Sequence, residues 1–261
     1  MISATELVVL ESKTSSLLVD VGSFIMHHWQ DDHKINYKNE RDSATEIDVE
    51  AEAILRKELS LIFPEAGFIV EEGSSAEKTE YNWVIDPIDG TKQFVSQMPL
   101  FNTQLALLYQ GKPILGLIYN PVSKQLFSAT SGNGTMLNGI KIKPSFNRKI
   151  NESIIDVDFG GTSDSLDARN KILHELFKTF YRVRMFAGIF GAYQLTGAFD
   201  GTISLSGKIN VYDLAPHDII LQEAGIEVEY FKLKNIGEVR ISGFPNTFMK
   251  LKSIIASEIL I

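Results

Sequence analysis

The chain of 261 residues has no cysteine. That removes disulfides, thiolate zinc sites and cysteine-nucleophile chemistry. It also lacks an excess of positive charge: 25 Lys and Arg against 33 Asp and Glu leave a formal net charge of −8. Binding of a nucleic-acid polymer or an anionic membrane surface therefore has no electrostatic support. No apolar run approaches the roughly 20 residues needed to cross a bilayer. The start, Met1-Ile2-Ser3-Ala4-Thr5-Glu6, has neither the basic region nor the apolar stretch of a signal peptide. A cytoplasmic protein is expected. Internal repeats, low-complexity segments and a flexible linker are missing too.

What the chain does have is 44% hydrophobic residues, ample for a large core. Leu7, Leu10, Leu17, Val21, Phe24 and Ile25 recur at roughly helical spacing over 4–30, and a polar loop is expected over 31–44. Thr45 opens a second helix, which Pro64 stops. Short apolar runs then alternate with turns, predicting an antiparallel meander through 103–109, 113–119 and 125–130. From about residue 148 helices and strands mix. Helices are expected over 167–180, 191–198 and 214–224, and a final one is capped by Asn246. The fold class is α/β (α+β), with an N-terminal subdomain 1–147 and a C-terminal subdomain 148–261 that carries Asp213.

Glu71, Asp86, Asp89 and Asp213 each end an apolar strand or begin a helix. Such carboxylates are held rigidly, and several together suit a hard cation such as Mg²⁺. In Asp86-Pro87-Ile88-Asp89-Gly90-Thr91, a turn at Pro87 would bring both carboxylates and the Ile88 carbonyl to one side. Gly90 and Thr91 would offer backbone N–H groups to a phosphate at a short helix start. Taken alone, Asp-Pro and Asp-Gly are also simply good turn formers. Haloacid-dehalogenase phosphatases carry a similar string with one residue between the aspartates, the first being a nucleophile. Here Pro87 and Ile88 intervene, which disfavours that chemistry.

Glu71-Glu72-Gly73, Trp83 through Phe94, and Tyr212-Asp213-Leu214-Ala215 followed by Gln222-Glu223-Ala224-Gly225 together resemble the inositol monophosphatase superfamily. Gly132 through Gly139 is similar to a turn of that family. The resemblance implies a layered αβαβα sandwich and a lithium-sensitive phosphomonoesterase that forms homodimers. It further implies two or three Mg²⁺ held by Glu71, Asp86, Asp89, Asp213 and the Ile88 carbonyl. Glu71 and Thr91 would orient the attacking water, and the Gly90 and Thr91 amides would hold phosphate. Asp89 and Asp213 would also contact substrate, and attack would be in line without a phosphoenzyme. Thr45-Glu46-Ile47-Asp48 resembles a family segment that places Asp48 beside the catalytic threonine. Read locally, the same residues form a capping box, and the two readings are compatible. Asp213 reads locally as a helix N-cap with Pro216 in the first turn. His217 is expected to be partly exposed, His27, His28, His33 and His174 structural or superficial, and Lys38 and Lys92 solvated.

The partner implied is a small phosphorylated metabolite, with inositol phosphate as the broad expectation. Inositol monophosphatases usually carry a glutamate shortly before the last aspartate, but 204–213 contains none. Asp89 through Phe94 and Gly111 through Tyr119 are similar to the 3′(2′),5′-bisphosphate nucleotidase branch. Tyr212 is similar to the histidinol-phosphate phosphatase branch. A non-catalytic or regulatory relative that only binds a phosphometabolite is the alternative of another class.

Overall fold

The computed structural model describes residues 2–31, 35–37, 43–76, 80–144, 148–160, 165–186 and 191–259; His33 and Lys38 lie outside them. Helix α1 (Ala4–His28) starts at a capping box between Ser3 and Glu6. Strands β1 (Ile35–Tyr37) and β2 (Ser43–Thr45) pair antiparallel within the stretch expected as loop. Three-residue strands held by backbone bonds leave little periodicity to read. Helix α2 (Glu46–Ile62) follows, then β3 (Gly67–Val70), β4 (Tyr81–Asp89) and the short helix α3 (Thr91–Val95). Next come β5 (Asn102–Tyr109), β6 (Lys112–Asn120), β7 (Gln125–Thr130), β8 (Gly134–Leu137) and β9 (Ile140–Ile142).

The remainder runs β10 (Ile154–Asp158), α4 (Leu166–Thr179), β11 (Arg182–Arg184), β12 (Gly201–Gly207) and α5 (Val211–Glu223), then β13 (Glu227–Leu233), β14 (Gly237–Gly243) and α6 (Pro245–Ile259). Three helix expectations change. The segment expected as a helix over 191–198 is a 3-10 turn, Gly191–Thr196, ended by Gly197 at φ +80°. Helix α5 begins at Val211, so Asp213 is its third residue and not its cap. Helix α6 begins at Pro245, a residue whose fixed φ suits a first helical position, so Asn246 lies inside it.

The chain divides into two compact units, one of Met1–Ile142 with Val211–Glu223, the other of Lys143–Asn210 with Ala224–Ile261. The expected cut at 147/148 assigned Asp213 to the second half, whereas its helix belongs with the first unit.

In the first unit seven strands lie in chain order, β3 to β9, with β3 parallel to β4 and the rest antiparallel. Both faces of β4 are buried. Trp83 and Ile85 join the core that includes Leu18, Ile25, Leu55 and Leu59 of α1 and α2. Val84 points the other way and packs with Ala106, Leu108 and Ala215 of α5. Each leucine-sized side chain so buried contributes about 2 kcal/mol. In the second unit the strand order is β11-β10-β12-β14-β13. Its apolar face, with Val157, Ile203 and Ile241, packs with Leu176 of α4 and Leu251 of α6.

Candidate active site

Side chains alternate along a strand, so Asp86 and Asp89, three apart, would point to opposite faces of a regular one. The β4–β5 pairing steps from Asp86↔Gln104 to Asp89↔Asn102, which spends three positions on β4 against two on β5. That one-residue bulge brings both aspartates to the same side, and Pro87, lacking an N–H, is tolerated there. The expected turn at Pro87 is thus a bulge inside the strand. Asp86 shares the parity of Val84, so it faces the side on which α5 packs and on which Asp213 is carried.

Glu71 follows β3. Its loop is tied to α2 by Glu52, whose Oε2 accepts from Glu72 N at 2.9 Å and Gly73 N at 3.3 Å. Asp89 accepts a hydrogen bond from the Gln104 side-chain amide. Gln104 is fully buried on β5, and sequence reasoning missed it. The signal was a polar triplet, Asn102-Thr103-Gln104, opening an otherwise largely apolar strand.

Asp86 is 2% exposed and its Oδ1 has no hydrogen-bond partner. Burial, then the negative charges of Glu71, Asp89 and Asp213, hold its carboxyl well above the ordinary aspartate range. Among the described residues no three His, Asp or Glu side chains converge closely enough to enclose a metal ion by themselves. Mg²⁺ does not need such a cage, since it takes one or two carboxylates and keeps several waters. A buried, unpartnered carboxylate oxygen inside a negative cluster fits a hard divalent cation.

Thr91 opens α3 and is buried. Gly90 precedes it at φ 97° and ψ 39°, a left-handed conformation that favours glycine. Phe94 anchors the helix against Phe101, ring to ring at 5.2 Å. The first-turn N–H groups of α3 have no partner within the helix. The Thr91 hydroxyl lies 3.1 Å from Asp48 Oδ1 and 3.0 Å from the Ile88 carbonyl. Asp48 is itself fixed through Oδ2 by Thr45 N at 2.8 Å and Thr45 Oγ1 at 2.5 Å. The capping box of α2 is therefore present, and the same aspartate reaches Thr91. Burial raises the Asp48 carboxyl; the Thr45 and Thr91 donors pull it back, and Glu71 adds to the rise.

His217 is buried, not partly exposed, because α5 is enclosed without a break from Ala215 to Leu221. In the second unit, within the segment noted for lacking the usual glutamate, Ser204 Oγ donates to Asp158 Oδ2 at 2.8 Å and lies 3.0 Å from Ser206 Oγ.

The model of the inositol monophosphatase family matches residues 9–260. The chain is 32% identical over 247 residues to the fructose-1,6-bisphosphatase/inositol-1-monophosphatase of Thermotoga maritima, covering 94% of this chain and 91% of that one. It is 29% identical over 193 residues to the Nus factor SuhB of Escherichia coli K12, covering 72% of each. The crystal structure of extragenic suppressor protein suhB from Bartonella henselae superposes with a TM-score of 0.85 at 24% identity, over 94% of this chain and 97% of the other.

Proposed function

The chain belongs to the inositol monophosphatase family, and from that premise we propose that it is a Mg²⁺-dependent phosphomonoesterase acting on a small phosphorylated metabolite. The observation that carries the reading is Asp86, a buried carboxylate with an unpartnered oxygen among three further carboxylates. Glu71, Asp86, Asp89, Asp213 and the Ile88 carbonyl would hold two or three Mg²⁺. When bound, such ions neutralise phosphate charge and make water a nucleophile at neutral pH.

The chain's own groups do the rest. Gly90 and Thr91 offer first-turn amides to phosphate oxygens. The Thr91 hydroxyl, donating toward Asp48, keeps lone pairs free to accept a proton from the attacking water. Asp48, made more basic by burial, draws that proton onward, and Glu71 orients the water. No side chain forms a covalent intermediate. Lithium sensitivity and a homodimer are further proposals from membership.

For substrate, inositol phosphate stays the broad reading. The name of the Thermotoga maritima relative supports sugar and polyol phosphates. The segments Asp89 through Phe94 and Gly111 through Tyr119 support a bisphosphate-nucleotidase alternative, and Tyr212 a histidinol-phosphate one. A second reading, a regulatory role without turnover, draws on the name of the Escherichia coli relative. The test is phosphate release from inositol 1-phosphate, fructose 1,6-bisphosphate, adenosine 3′,5′-bisphosphate and histidinol phosphate under matched Mg²⁺. A preference of about 100-fold, or about 2.7 kcal/mol, names the substrate. No release from any of them favours the regulatory role.

A further inference from the structure

Two motifs singled out in the sequence, Gly132 through Gly139 and Gln222 through Gly225, have no part in the chemistry above, yet they meet. Glu223, the last residue of α5, accepts through Oε1 from Gly132 N at 2.8 Å and through Oε2 from Gly134 N at 2.9 Å. One carboxylate thus binds two amides at the β7–β8 turn. Gly132 and Gly134 sit at φ +83° and +80°, backbone that favours glycine, while the Asn133 N–H between them donates to the Thr130 carbonyl at 3.0 Å. Close by, Thr135 Oγ1 donates to the Ile220 carbonyl at 2.6 Å in a buried setting. Further toward the start of α5, Gly116 of β6 lets the helix approach the sheet. A β-carbon there would stand 2.9 Å from the Pro216 carbonyl oxygen. Asp213 lies one turn beyond that contact. Helix α5 is therefore held at its far end by Glu223 and Thr135 and comes close to the sheet at Gly116, with Asp213 on the opposite end, about 15 Å along the axis.

We propose that Glu223 is a positioning residue for Asp213: its grip on the β7–β8 turn fixes the register of α5 on the sheet and so the affinity of the site for a divalent cation. This rests on the reading of Asp213 as a cation ligand. The alternative is that the grip adds stability alone.

The test titrates metal-free protein with Mg²⁺ alone by calorimetry and records Tm for four variants: Glu223→Ala, Glu223→Gln, Asp213→Asn and the double variant Asp213→Asn/Glu223→Ala. Glu223→Ala is expected to raise the Mg²⁺ dissociation constant about fivefold, an effect typical of remote coupling. Glu223→Gln keeps an acceptor for one amide and is expected to fall between it and the parent. In the Asp213→Asn background the alanine should add nothing, since the residue through which it acts has lost its charge. A lower Tm with unchanged Mg²⁺ affinity overturns the proposal, as does a full fivefold loss in the Asp213→Asn background. If Asp213→Asn itself leaves Mg²⁺ binding untouched, the reading of the site fails first. Should Glu223→Ala not fold, Glu223→Gln decides by the same comparison.

Discussion

Asp86 in the first unit and Asp200 in the second are each 2% exposed, and the chain treats them in opposite ways. Asp200 receives Arg148 Nη1 at 2.9 Å and the Ile154 N–H at 2.8 Å, so its charge is met by a cation and a backbone donor. Asp86 has Glu71, Asp89 and Asp213 for neighbours, each adding to its reluctance to ionise. A carboxylate answered from within the fold serves the fold. One set among like charges lowers stability unless a countercharge arrives from outside, and that is the mark of a site. Replacing each aspartate should separate the two kinds of burial. Asp86→Asn should lower Mg²⁺-dependent phosphate release by about a thousandfold, the scale of lost metal-assisted charge stabilisation. Its metal-free Tm should stay level or rise, because a repelled charge is gone. Undiminished release, or a lower Tm without metal, would erase the contrast.

Asp156 of β10 tests an intermediate case. It is 1% exposed, accepts from Phe186 N at 2.9 Å and has Asp158 nearby. Burial is the main cause that pushes its carboxyl up to about 6. A folded-state value above the unfolded one means that the fold prefers the protonated form. That stabilisation is complete below the ordinary aspartate range, near pH 4, and is lost as pH rises to about 6. The gap corresponds to about 3 kcal/mol at most. Asp156→Asn keeps an acceptor for Phe186 and removes the titration. Its Tm gain over the parent should therefore be larger at pH 7.5 than at pH 4.5. An equal difference at both values would show that Asp156 is solvated enough to ionise freely.

Asp200→Ala is the structural counterpart. It removes the acceptor of the Ile154 N–H and the carboxylate that faces Arg148, which keeps its bond to the Gly197 carbonyl. Removing one member of a buried pair costs about 3–5 kcal/mol, but Arg148 is 34% exposed and water recovers part of that. A loss of about 2 kcal/mol is expected by thermal or urea denaturation. Mg²⁺ affinity should not change. A shift in affinity of more than twofold would mean that the two aspartates are not separable in role.

The chemistry of these positions was uneven in its visibility. Glu71, Asp86, Asp89 and Asp213 were legible because each interrupts an apolar run, and local spacing is what a sequence displays. The capping box of Thr45 and Asp48 was legible for the same reason. The bulge was not, since a register shift is a relation between β4 and a partner strand. Nor was the place of α5: only packing on β4 to β8 assigns Asp213 to the first unit, and the helix is buried so continuously that it shows no amphipathic face. His217 was misjudged on that account. Glu52 was hidden, and Glu223 was visible only as part of a motif, because each holds two backbone amides of a distant loop, about 20 and about 90 residues away, and no local spacing announces such a bond.

Gln104 gives the finest test of what separates Asp86 from Asp200. It is a neutral partner of the carboxylate cluster, fully buried, with its amide donating to Asp89 while its own Oε1 has no hydrogen-bond partner. A neutral donor restrains Asp89 without cancelling its charge, whereas Arg148 both restrains and cancels. Gln104→Leu keeps much of the volume and removes the donor, so Mg²⁺ should bind about tenfold more weakly, the usual cost of losing a residue that orients a ligand. Stability without metal should change little, because an unpartnered buried oxygen leaves along with the amide. Gln104→Lys would instead supply the cluster with its own cation. That variant should raise metal-free Tm and weaken Mg²⁺ binding further, turning the surroundings of Asp86 toward those of Asp200. If Mg²⁺ titration finds Gln104→Leu and the parent alike, Asp89 is oriented by other groups, and the neutral donor plays no part in keeping the cluster ready for a cation.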